Sequence, residues 1–147
     1  MNDLRTSPAR REDAIRRWLP RVLRVAGCLL VPWIVALGLS VRRFGARNLA
    51  NSWIWLDVIE VCALFLLAYL VRRRHPATSP VASATAVLLA MDAFFDLWSA
   101  HHGSDYRLAQ VLAYAAELPS ALMLAALSWY ALPWAASGRS RRTVLPR

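Results

Sequence analysis

The sequence predicts an all-α fold: an integral membrane up-down four-helix bundle with a short N-terminal amphipathic helix. Three observations carry this. Four apolar runs, 22–41, 53–71, 81–100 and 108–132, each reach the roughly 20 residues a helix needs to cross a hydrocarbon core. The connections between them are short, which makes successive helices antiparallel neighbours. The arginines gather at the ends of the runs, as membrane topology requires. Backbone polar groups in lipid must be satisfied within their own segment, so helices are the reasonable form for all four.

Residues 1–21 form a basic cytoplasmic or interfacial segment. Ser7-Pro8 is a helix-start signal. Glu12/Arg16 and Asp13/Arg17 are spaced as i,i+4 pairs, while Ile15, Trp18, Leu19 and Val22 share one face. Two forms fit this pattern: a helix lying on the inner leaflet with its arginines toward anionic lipid, or a plain extension of the first span. The basic region is too long for a signal peptide and no small-residue cleavage site follows clearly, so the first span is expected to be retained.

The transmembrane domain is expected over 22–134, with a basic cytoplasmic tail at 135–147. Fourteen arginines fall on the side of the termini and the second loop, against four on the other side (Arg42, Arg43, Arg47 and Arg107). The positive-inside rule then places both termini in the cytoplasm of a multi-pass cell-membrane protein facing an anionic inner leaflet. Trp18, Trp53, Trp98, Trp129 and Trp134 fall near the predicted interfaces, where an amphipathic ring is favoured. Pro32 and Pro119 lie inside spans; each removes a backbone donor and frees the carbonyl four residues earlier, at Cys28 and Ala115. Cys28 and Cys62 have no metal-ligand spacing and are expected as buried free thiols.

Composition narrows the function classes. The chain has 147 residues, 58% hydrophobic, with a net charge of +9 carried wholly by arginine. That is too apolar for a typical soluble domain. Basicity at the ends of apolar runs answers to membrane topology, so nucleic acid is not an expected partner.

The chemistry lies in five of the nine acidic residues, which sit inside apolar runs: Asp57, Glu60, Asp92, Asp96 and Glu117. A carboxylate at bilayer depth costs roughly 2.5 kcal/mol or more, so such groups point to function by default. With the termini inside, Asp57 and Asp96 lie roughly 6 Å, Glu60 and Asp92 roughly 10–12 Å, and Glu117 roughly 13 Å below the outer boundary. Asp57/Glu60 and Asp92/Asp96 are i,i+3 and i,i+4 pairs that each share a helix face. Glu117 falls on a stripe with Gln110, Tyr114 and Ser128 at 3.6 residues per turn. Ser99 extends the Asp92/Asp96 face, and His101 and His102 stand at the outer mouth of the third span.

Five carboxylates cannot all be charged and close in a dry space; some are protonated or a cation sits among them. Three readings follow. Asp92, Asp96, Glu60, Glu117 and Asp57 can bind or pass a cation or proton. A divalent metal would take Asp92, Asp96 and Glu117, with His101 added for a transition metal. The same acids can serve a small intramembrane enzyme acting on a lipid or isoprenoid. They can also hydrogen-bond between helices, within the chain or across a homo-oligomer.

The segment Met91-Asp92-Ala93-Phe94-Phe95-Asp96 resembles a D-x-x-aromatic-D segment in the third span of small four-span membrane proteins of high-GC bacteria, and Trp55, Asp57 and Glu60 are compatible with it. The resemblance covers most of the membrane region and implies the four-span fold but no particular activity. The Asp92-x-x-x-Asp96 spacing is also similar to one aspartate motif of membrane prenyltransferases. Those enzymes need a larger bundle and a second Asp-rich motif, which the chain lacks. No H-E-x-x-H, phosphate-binding glycine loop or G-x-S-x-G occurs.

Overall fold

The computed structural model describes residues 8–40, 47–99 and 104–134. Among them there is helix and no strand, and four helical stretches are long and apolar enough to cross a membrane. Helix α1 runs Pro8–Ser40, α2 Arg47–Arg73, α3 Thr78–Ser99 and α4 Ser104–Leu112; a π-helical turn, Ala113–Glu117, joins α4 to α5, Leu118–Tyr130.

Of the two forms open to the basic start, the structure has the extension: the expected short amphipathic helix is the first part of α1, a single helix of 33 residues. Pro20 does not break it. Pro20 removes one backbone donor, but the rod continues on both sides, and the Arg24 Nε donates to the Pro20 carbonyl at 3.0 Å. At about 1.5 Å per residue such a helix measures about 50 Å, well beyond a hydrocarbon core, so its basic start projects past the apolar part.

The turn between α2 and α3 is closed by backbone bonds. Arg74 adopts a left-handed conformation (φ 48°), its N–H donates to Val71 O, and the His75 N–H donates to Leu70 O. This left-handed cap satisfies the last carbonyls of α2. Pro76 then prevents continuation, and the Thr78 hydroxyl donates to His75 O at 2.7 Å where α3 begins.

The rods pack in series: α1 on α2, α2 on α3, and α3 on the α4–α5 rod. The fourth seam is open, because no described Cα of α1 comes within 8 Å of one in α4, the π turn or α5. The bundle is therefore up-down, as expected, but unclosed on one side. Gly27 lets α1 sit close on α2: a Cβ there would lie 3.2 Å from the Phe65 ring. Small residues bring α3 against both neighbours, with Ser79, Ala82, Ala86, Leu89 and Ala93 buried at three- and four-residue spacing. Thr85 is also buried, and its hydroxyl bonds back to Val81 O at 2.8 Å.

The apolar core joins Leu23 of α1, Leu64, Leu67 and Val71 of α2, Ala82, Ala86 and Leu89 of α3, and Ala121, Leu124 and Leu127 of α5. At one end of this core lie the α1 arginines and the α2–α3 turn, where Glu12 pairs with Arg74 at 2.6 Å. Beyond its other end, in every helix that carries one, lie the intraspan acids. Outward faces are apolar, with Leu29, Val35, Val87, Leu122, Trp98 and Trp129 all exposed. Cys28 and Cys62 also face outward rather than being buried. Gly27, not Cys28, takes the α1–α2 contact, which turns the neighbouring thiol away.

Candidate cation site

The five acids converge. Asp57, Glu60 and Asp92 are buried, at 4%, 1% and 8% exposure; Asp96 and Glu117 are half-buried. Asp57, Glu60 and Asp92 each offer a carboxylate oxygen within 4.8 Å of the other two. Asp92, Asp96 and Glu117 do the same. Asp92 belongs to both groups, so three separate rods contribute to one continuous carboxylate cluster.

Each rod presents its acids for a local reason. On α2 the i,i+3 spacing sets Asp57 and Glu60 on the face that meets α3. On α3 the i,i+4 spacing of Asp92 and Asp96 aims one carboxylate at α2 and keeps the other near Glu117. Glu117 closes the π turn. Pro119 has no N–H for the Ala115 carbonyl, and the Leu118 N–H donates to Ala113 O, five residues back. The extra residue in that turn changes the helical phase between α4 and α5.

That phase change corrects the stripe expected for the fourth span. Tyr114 is 62% exposed and, with Gln110, lines a separate shallow depression on the outside of α4. Ser128 lies at the far end, where its hydroxyl is 3.3 Å from that of Ser79. An uninterrupted period of 3.6 residues does not hold across Ala113–Glu117. His101 and His102 lie outside the described residues, as does the side chain of Ser99.

A cavity of about 440 Å³ meets the cluster, and Asp57, Glu60, Asp92 and Glu117 line it. The rest of its wall is mostly apolar: Ala26, Leu29, Leu30 and Trp33 from α1, Leu64 and Leu89 at the core end, and Leu112 and Ala116 on the fourth rod. The cavity occupies the open seam between α1 and α4–α5. Helix α1, which carries no acid within its apolar run, forms one wall of this space. Ser120 is a polar lining residue that spacing did not single out. Pro119 was the available signal, because it displaces the turn that carries Glu117.

Both carboxylate oxygens of Glu60, and one of Glu117, are buried without a hydrogen-bond partner among the described residues. A buried polar atom left unpaired costs about 1–3 kcal/mol, more when charged. Metal–oxygen bonds to a hard divalent ion such as Ca²⁺ are about 2.3–2.6 Å, so oxygens on opposite sides of one ion stand about 4.6–5.2 Å apart. Both carboxylate groups fit within that span, and their all-oxygen chemistry suits a hard cation.

Comparison with protein-family models, curated proteins and solved structures gives no match to this chain.

Proposed function

We propose that the chain is a multi-pass membrane protein, with both termini on the cytoplasmic side of the cell membrane, that holds a cation in a carboxylate site between its helices. The cation is a divalent metal ion or a proton. Glu60 carries the reading: a fully buried carboxyl group with neither oxygen partnered among the described residues, facing two other acids and a cavity. The apolar outward faces support the membrane assignment, since a water-soluble monomer rarely exposes such a surface. Arginines at one end and acids nearer the other agree with the positive-inside rule, which puts the acids in the outer half.

Asp92 bridges the two groups and is the central ligand. Glu60 and Asp57 complete one side; Asp96 and Glu117 complete the other. Passage of the ion across the membrane would require a longer polar path than one copy offers, so a transport role implies a homo-oligomer. The test is metal analysis of the purified protein beside Asp92→Asn and Asp96→Asn. Bound metal in the wild type, reduced in both variants, is the expected result. Equal metal in all three, with unchanged folding, counts against the site.

One observation favours a second reading. The cavity is apolar beside its acids and lies at a seam between rods, as an enzyme acting on a lipid or isoprenoid would need. In that case the same carboxylates supply general acid–base chemistry or hold a catalytic metal.

A further inference from the structure

At the opposite end of the bundle, two adjoining cavities lie between α1 and α2. One, of about 260 Å³, is bounded by Arg16, Arg17, Pro20, Arg21, Arg24 and Arg72. The other, of about 370 Å³, shares Arg24 and Arg72 and adds Arg73 with Phe65, Ala68 and Tyr69. The first is almost wholly cationic; the second is cationic at one edge and apolar at the other. We infer that this cleft binds an anionic membrane lipid through a compact phosphate headgroup, the phosphate in the arginine lobe and the first part of the lipid body along Phe65, Ala68 and Tyr69.

The charge balance supports this occupant. Guanidinium groups stay protonated, so the six arginines bring six positive charges to one cleft. Among the described residues the one ion pair is Glu12–Arg74, and Arg74 is not a lining residue. The lining arginines therefore lack carboxylate partners there. Two of them are already held in place: Arg21 lies 5.4 Å from the Trp18 ring centroid and Arg73 lies 5.2 Å from that of Tyr69. Arg24 is tied to the Pro20 carbonyl through Nε, which leaves its terminal nitrogens for a ligand. Planar guanidinium forks match the oxygens of a phosphate in bidentate fashion. The apolar edge separates this cleft from a site for a free anion: Phe65, seated against Gly27, offers a surface only an amphiphile would use.

The inference rests on the membrane reading but not on the cation site, which lies at the other end of the bundle. Its test is native mass spectrometry of the full chain in detergent, titrated with phosphatidic acid, phosphatidylglycerol, phosphatidylcholine and inorganic phosphate. Phosphatidic acid should bind most tightly and phosphatidylcholine least. Arg24→Gln/Arg72→Gln should weaken phosphatidic acid binding by roughly 30-fold, from the usual contribution of two arginines near an anionic surface. Arg16→Gln/Arg17→Gln, on the exposed face of α1, gives the same readout should the first variant not fold. Arg107→Gln, on the exposed surface of α4, removes charge elsewhere and should leave binding unchanged. Equal binding of phosphatidylcholine, no loss in either double variant, or a matching loss in Arg107→Gln would overturn the proposal. Displacement of the lipid by an equal concentration of inorganic phosphate would also overturn it, by assigning the arginine lobe to a soluble anion.

Discussion

Replacing Asp92 with Asn should abolish stabilisation by a divalent cation, because Asp92 is the residue common to both carboxylate groups. The magnitude follows from the geometry. Two unit charges 4.8 Å apart, the outer limit within each group, repel by about 3.5 kcal/mol at an effective dielectric near 20. Three such pairs among ionised Asp57, Glu60 and Asp92 amount to about 10 kcal/mol, as large as the whole stability of an ordinary domain, about 5–15 kcal/mol. A bound cation replaces that repulsion with attraction. A ligand present at 100 times its Kd stabilises by about 2.7 kcal/mol, which for a chain of this size raises Tm by roughly 5–10 °C. The assay is thermal unfolding in detergent with Mg²⁺, Ca²⁺, Mn²⁺ and Zn²⁺ in turn. The wild type should shift with at least one; Asp92→Asn should shift with none. Without metal the variant should melt at or above the wild-type temperature, having lost one buried charge. An equal shift in both proteins, or none in the wild type with any ion, would refute the argument.

Further outcomes follow from the same structure. Glu60→Met, which removes at similar volume two buried oxygens that lack partners among the described residues, should stabilise the metal-free protein by about 1–3 kcal/mol in denaturant unfolding; a clear loss would mean those oxygens have partners. Pro119→Ala restores the donor to the Ala115 carbonyl and removes the cause of the π turn. It should keep helical content by circular dichroism while reducing the cation-dependent shift, because Glu117 turns away from Asp92 and Asp96. Gly27→Val drives a branched side chain into the Phe65 ring and should cost about 1–3 kcal/mol, beyond any gain in helix propensity; a neutral result would mean α1 does not rest on α2 at this register.

The pairing of the acids was legible because it depends on local periodicity. Asp57/Glu60 and Asp92/Asp96 each lie within one uninterrupted helix, so spacing alone fixes their relative direction. Glu117 meets the acids of α3, as its place along the fourth run suggests, but not the stripe of Gln110, Tyr114 and Ser128 expected beside it. Its neighbours depend on a five-residue turn, and a single proline does not reveal whether a helix kinks, ends or widens. The form of α1 stayed open between two alternatives for a related reason: the amphipathic pattern of 8–21 and the apolar pattern of 22–40 differ in composition, as a separate helix would, yet nothing between them stops a helix, as an extension requires. The outward Cys28 thiol reflects a rotation about α1 that Gly27 sets. That contact is long-range, and no local pattern encodes it.

The position of Glu60 also weighs the alternatives against one another. If these acids served only to join helices, their carboxyl groups would be expected to donate and accept hydrogen bonds across the seams, as Ser79 and Ser128 pair at the other end of α3 and α5. Contact across a homo-oligomer would require them on an outer face. Glu60 meets neither condition: it is 1% exposed, and neither of its oxygens has a partner among the described residues. The protein carries the cost of this burial on α2, between Asp57 and Asp92, where a small cation can satisfy several acids at once. A hydrogen-bonding role would be met more cheaply by Ser, Thr or Asn, whose neutral groups avoid the repulsion of like charges.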